Sequence, residues 1–147
     1  MIYLGSDHRG FKLKKEIEKY LENLGYPCCD LGNKIFNPED DYPDFAKKVA
    51  IKVSQKPENR GVLICGSGVG MSIAANKFKN IRAALGFNCR VIRVTSEHIA
   101  HNILCLPADF LSQKEAEKIV KIWLRTEFNQ EERHKRRIKK IKNLDKK

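Results

Sequence analysis

The chain of 147 residues lacks long apolar runs, and short ones such as Val62-Leu63-Ile64-Cys65 fall far below the ~20 residues of a membrane helix. Its start, Met1-Ile2-Tyr3-Leu4-Gly5, has neither the charged segment nor the apolar stretch of a secretion signal. The expectation is a soluble, cytoplasmic protein with no membrane partner. Cysteine is sparse and odd in number: Cys28, Cys29, Cys65, Cys89 and Cys105 leave one over from any set of disulfides. None stands in the C-x-x-C or C-x-x-H spacing of a zinc site. Free thiols and no bound metal are therefore expected. Acidic residues are few, 18 against 29 Lys and Arg, for a net charge of +11. The excess is local, because residues 133–147 hold nine Lys/Arg and one acid, which leaves the preceding 132 residues at about +3. Such a tail reads as a solvated helix end, an anion-binding segment or a nucleic-acid-binding one, and charge alone does not decide among them.

Neither an internal repeat nor a low-complexity stretch interrupts the order of elements. A short apolar opening, residues 1–4, stops at Gly5, and apolar residues then recur at helical spacing from Phe11 to Leu24, where Gly25 ends the helix. A second strand is expected over 26–31, and a helix over 45–53 after the polar, proline-bearing residues 33–44. Residues 60–65 have the continuous apolar character of a strand buried on both faces. Further strands are expected at 81–85 and 103–106, and helices over 71–77, 96–102 and 113–128. Alternating strands and helices predict a three-layer αβα (Rossmann-like) α/β domain with a mostly parallel five-stranded sheet over residues 1–128.

Ligands of open parallel sheets gather outside the carboxyl ends of the strands. Two loops there carry chemistry, Gly5-Ser6-Asp7-His8-Arg9-Gly10 and Cys65-Gly66-Ser67-Gly68-Val69-Gly70. Alternate glycines let the backbone approach a ligand and turn several N–H groups toward one point, an anion cradle, although a plain tight turn fits the same pattern. The pattern lacks the Lys-Ser/Thr of a phosphate loop and the spacing of a dinucleotide fingerprint. Cys65 ends the strand where oriented amides favour thiolate character, yet cysteines in that position are also small core residues. Asp7 and His8 pair a carboxylate with an imidazole, or simply cap the following helix.

Residues 5–14 (GSDHRGFKLK), 41–46 (DYPDFA) and 61–77 (GVLICGSGVGMSIAANK) closely resemble the type B ribose-5-phosphate isomerases. The similarity continues through Ile81-Arg82-Ala83-Ala84-Leu85 and Arg133-His134-Lys135-Arg136-Arg137, nearly end to end. It implies a homodimer, or a tetramer, with shared active sites, each taking the two loops from one subunit and the His98 region from the other. The basic segment 129–147 would then pack on the partner subunit. The implied activity interconverts ribose 5-phosphate and ribulose 5-phosphate without a cofactor, with galactose 6-phosphate or allose 6-phosphate as alternative substrates. A non-catalytic homologue that binds a sugar phosphate or nucleic acid is the other reading; nucleic acid is not the expected partner.

On these residues, the resemblance makes Cys65 the base and places His98, Asp7 and Ser67 at ring opening. His8, Arg133 and Arg137 would hold the phosphate, Asp41 and Tyr42 the sugar hydroxyls, and the amides of Gly66, Gly68, Val69 and Gly70 the oxyanion. Met71, where some members carry a glutamate, cannot accept a proton. Two positions depart from the family. Ile99 replaces an asparagine that contacts a sugar hydroxyl, and helix geometry makes His101 no simple substitute. Asp109 stands where an arginine often assists the phosphate, a charge reversal that is unfavourable unless Asp109 turns away or pairs with a nearby arginine. Altered substrate preference or slower turnover is the expected consequence.

Overall fold

The computed structural model describes residues 1–145; Lys146 and Lys147 of the basic tail lie outside the described residues. Five strands, β1 (Ile2–Ser6), β2 (Cys28–Asp30), β3 (Arg60–Cys65), β4 (Ala83–Leu85) and β5 (Ile103–Pro107), form one sheet in the order β2-β1-β3-β5-β4. Every pairing is parallel. The expected mostly parallel sheet is thus wholly parallel. Six helices complete the chain: α1 (Phe11–Asn23), α2 (Tyr42–Ser54), α3 (Val69–Ala75), α4 (Cys89–Ile99), α5 (Gln113–Arg125) and α6 (Glu132–Leu144).

Side chains of the central strands alternate between two cores, as the pleat requires. Val62, Ile64, Leu104 and Leu106 meet one helical layer, including Leu13, Ile17 and Leu21 of α1 and Trp123 of α5. Leu63, Cys65, Ile103 and Cys105 meet α2 and α3 on the other face. Each fully buried Leu or Ile contributes about 1.5–3 kcal/mol, so the two central strands anchor the domain. None of the five cysteines is disulfide-bonded. Burial pushes the Cys28 thiol up to about 11, and that of Cys105 higher still, which marks both as inert packing.

Local signals explain most boundaries. Gly25, at φ +80°, ends α1 where expected, and Ser112 and Glu115 close a capping box at the start of α5. Most elements shift by up to three residues from the sequence reading, α2 starting at Tyr42 and α3 at Val69, and the largest departure is at α4. Asn88 caps α4 by accepting from the amides of Arg90 and Val91, so this helix starts at Cys89, well before Ser96, and stops at Ile99. Ala100 then adopts φ +52°, which takes His101 off the helix altogether. At α5 the apolar pattern runs on to Phe128, but Thr126 is extended and the helix ends at Arg125.

β1 and β3 are neighbours whose chains continue to opposite sides, β1 to β2 at one edge and β3 to β4 at the other, beyond β5. This switch point opens a crevice at their carboxyl ends, between the two glycine-bearing loops. Gly10 holds those loops together: a Cβ there would lie 2.4 Å from the Ile64 carbonyl oxygen. Only glycine permits that approach.

Candidate active site

The crevice is an open cavity of about 590 Å³ lined by residues of both loops, among them Asp7, Arg9, Cys65, Gly66, Ser67 and Gly70. Its size suits a small metabolite. Cys65 sits at its floor with 4% of its surface exposed, and its Sγ accepts the Gly68 N–H at 3.2 Å. That bond depends on Gly68, whose φ of +72° turns the amide back toward the sulfur. Ser67 is exposed above it, its Oγ accepting from the Val69 amide at 3.3 Å. Tyr42, at the start of α2, lays its ring against Gly70 and is 40% exposed to the cavity side.

Asp7 is buried and accepts the Gly10 amide at 3.0 Å. Burial raises its pKa above the ordinary carboxylate value, against the opposing pull of that hydrogen bond. Next to it, His8 is held by Asp40, whose Oδ1 accepts the His8 amide at 2.8 Å and lies 2.8 Å from Nδ1. This bond to Asp40 raises the imidazole pKa and favours a positive charge on it.

The family resemblance points to Asp41, but the carboxylate that meets His8 is that of its neighbour Asp40. The exposed Asp41 precedes α2 and makes no capping bond. Asp40 is itself fixed by Asn33 Nδ2 at 3.0 Å, and Asn33 offers its carbonyl to Lys14 Nζ at 2.9 Å. Lys14 is completely buried and pairs with Asp30 at 2.6 Å. A chain of polar contacts thus runs from the core of α1 to His8, which spacing alone does not reveal.

The remaining predicted residues lie elsewhere in the chain. His98, on the last turn of α4, packs its ring 4.2 Å from that of His134 on α6. His134 is buried, with Nδ1 2.7 Å from Asn129 Oδ1, and burial followed by the neighbouring His98 lowers its pKa. Arg133 and Arg137 project from the exposed surface of α6, Arg133 pairing with Glu131 at 2.6 Å. None of these four lines the Cys65 cavity. Within one chain, then, the structure gathers Asp7, Tyr42, Cys65, Ser67 and the glycine loop, and sets His98, Arg133 and Arg137 apart with α4 and α6.

Both departures now have a place. Asp109 pairs with Arg9, and with neither Arg90 nor Arg93, directly over Gly66 and inside the cavity wall. The local charge is therefore balanced by an arginine from the first loop, a hundred residues away in sequence. His101 is 95% buried against Trp123, with its pKa lowered to about 4 by burial, and stands in for nothing at the Cys65 cavity. Ile99 is partly exposed at the end of α4.

The sequence model of the family described as Ribose/Galactose Isomerase matches residues 2–141. The chain belongs to that family. Among solved structures, ribose-5-phosphate isomerase B of Mycoplasma genitalium, with bound ribulose-5-phosphate, superposes with a TM-score of 0.95 at 41% identity over 99% of this chain and 96% of that one. The enzyme of the same name from Clostridium thermocellum gives 0.93 at 43% identity, covering 99% and 97%. Ribose-5-phosphate isomerase B of Mycolicibacterium paratuberculosis is 35% identical over 93% of this chain and 86% of its own length. The five-stranded parallel α/β fold is that of these enzymes. No helix of the described residues is long and apolar enough to cross a membrane.

Proposed function

We propose that the chain interconverts ribose 5-phosphate and ribulose 5-phosphate, with Cys65 as the group that moves the proton. The observation that carries this reading is the Cys65 sulfur, placed at the floor of the crevice with the Gly68 amide aimed at it. Membership of the isomerase family and the near-complete overlap with ribose-5-phosphate isomerases support the substrate.

The reaction lifts the proton from C2 of the open-chain aldose and returns it to C1, while the hydroxyl proton of O2 passes to O1. The Cys65 thiolate takes and returns the carbon-bound proton on one face, work that typically contributes about 10² to 10⁴ in rate. Negative charge grows on O1 in the enediolate, and the amides of residues 66–70 meet it; losing one such donor typically costs about 10² to 10³. Asp7, kept nearer to protonation by burial, acts with Ser67 and His98 at the opening of the furanose ring. Asp41 and Tyr42 contact the sugar hydroxyls. His8, whose positive charge the bond to Asp40 favours, binds the phosphate with Arg133 and Arg137, whose guanidinium forks suit its oxygens.

His98, Arg133 and Arg137 reach this cavity from the partner subunit of a homodimer, while residues 1–128 form the isomerase domain and 129–147 the segment that packs on the partner. A site divided in this way explains why one chain carries two separate groups of functional residues. The apolar side chains Val91, Val94 and Ile99 on α4, each more than a third exposed, offer a face for such a contact.

Ketose formation from ribose 5-phosphate by the purified protein, compared with formation from allose 6-phosphate and galactose 6-phosphate, tests the reading. The pentose is expected to give the higher kcat/KM. A higher value for a six-carbon sugar would move the substrate to that class, and no turnover of any of the three would refute the enzymatic role.

A further inference from the structure

At the end of the sheet opposite Cys65, where the strands begin, lies a second cavity of about 570 Å³, lined by Arg60, Arg82, His101, Asn102, Trp123 and Glu127 among others. Arg60 opens β3 and Arg82 immediately precedes β4. Among the described residues neither guanidinium has a carboxylate within salt-bridge distance. Arg60 lies over the indole of Trp123, 5.4 Å from its centre, and donates weakly to the Trp123 carbonyl at 3.4 Å. Arg82 donates to the Ile99 carbonyl at 3.1 Å and to the Ala100 carbonyl at 2.7 Å. Carbonyls anchor both side chains without cancelling their charge.

These charges are partly withdrawn from water, and burial lowers the pKa of both arginines. They also press on the neutral His101, whose Nδ1 is buried without a partner among the described residues. A smaller groove of about 220 Å³ continues from Arg82 and Asn102 past Lys56 and Lys142. Opposing charge is thin. Glu127 stands on the rim, and Asp145, whose carboxylate accepts the Asn80 amide, attracts Arg82 from beyond salt-bridge distance and so offsets its charge only in part. Incompletely compensated, half-buried cations are unfavourable, and planar guanidinium forks match phosphate oxygens in pairs.

We propose that this cavity binds a phosphate-bearing small molecule of at least two negative charges between Arg60 and Arg82, at a site remote from the catalytic loops. The ligand neutralises both guanidiniums, with Lys56 and Lys142 extending the site for a longer anion. This assignment stands independently of the isomerase reading.

Trp123 is the chain's one tryptophan and lines this cavity, whereas the Cys65 cavity has none. Indole fluorescence of the full-length protein, titrated with pyrophosphate at constant ionic strength, therefore reports on this site alone. The expected result is a saturable change with half-saturation below about 1 mM, moved up about tenfold or more in Arg60→Gln and unmoved in His8→Ala. Circular dichroism checks that Arg60→Gln is folded. If it is not, Arg60→Lys, which keeps the stem over Trp123 but loses the fork, is expected to weaken binding in the same direction. An unsaturable change, the same change with sodium chloride, or an identical curve in a folded Arg60 variant would overturn the proposal.

Discussion

The Cys65 loop and the His98 region carry the two halves of the proposed chemistry, and they are held in different ways. At Cys65 the backbone does the positioning: a positive φ at Gly68 aims an amide at the sulfur, and Gly10 lets the first loop close on the end of β3. At His98 side chains do it, through a ring contact with His134 from another helix and an Asn129 carboxamide that fixes His134. The first half is gathered within a chain; the second is assembled on α4 and α6 and does not line that cavity. A backbone-built centre tolerates change around it and fails when a glycine or the sulfur goes. A side-chain-built one can be retuned residue by residue, and Ile99, at the end of α4, lies in that half, whereas Asp109, the other departure from the family pattern, lies in the wall of the Cys65 cavity with Arg9.

The comparison is broken most severely at the sulfur. Cys65→Ala is expected to lower kcat on ribose 5-phosphate by about 10² to 10⁴ while the protein melts within a few degrees of the parent. Undiminished activity would remove Cys65 from the proton transfer. Gly68→Ala comes next. Its Cβ would meet Leu85 Cδ1 at 2.5 Å and its φ suits glycine, so denaturant unfolding should show a loss of about 1–3 kcal/mol. Turnover should also fall, because the amide leaves Sγ. Loss of stability with full activity would mean that the amide is irrelevant to the chemistry.

The smallest effect concerns a side-chain arrangement within the backbone-built half. Asp40 raises the His8 pKa, so the imidazolium is fully present below its ordinary pKa of about 6.5 and is lost as pH rises through the raised value. Both phosphate affinity and the stability that this pair contributes should therefore decline in that upper window. In Asp40→Asn the decline of affinity, read as a rise in KM, should begin at lower pH with kcat little changed. Superimposable KM profiles would separate Asp40 from phosphate binding.

Backbone-built features are the ones legible in the sequence. β3 reads correctly from Arg60 to Cys65 because burial on both faces leaves a continuous apolar run, and the glycines after it announce a loop. α4 is misread because its exposed, basic first turn hides the Asn88 cap, and only Ile92 and Ser96 of the helix are buried. Pairings between distant positions leave no local trace. Nothing in the string Asp40-Asp41 says which carboxylate meets His8, and Arg9 and Asp109 find each other only once β1, β3 and β5 lie side by side. His134 shows the same limit: it stands within the basic tail as one more polar residue, yet it is buried against His98.

The central claim is that the two halves meet across two copies of the chain. Mixing Cys65→Ala with His98→Ala, each inactive alone, under conditions that let subunits exchange tests it most directly. Random pairing makes half of the dimers mixed, with one intact site in each, so activity should recover to about a quarter of the parent value. No recovery after verified exchange would contradict a shared site and return both halves to a single chain.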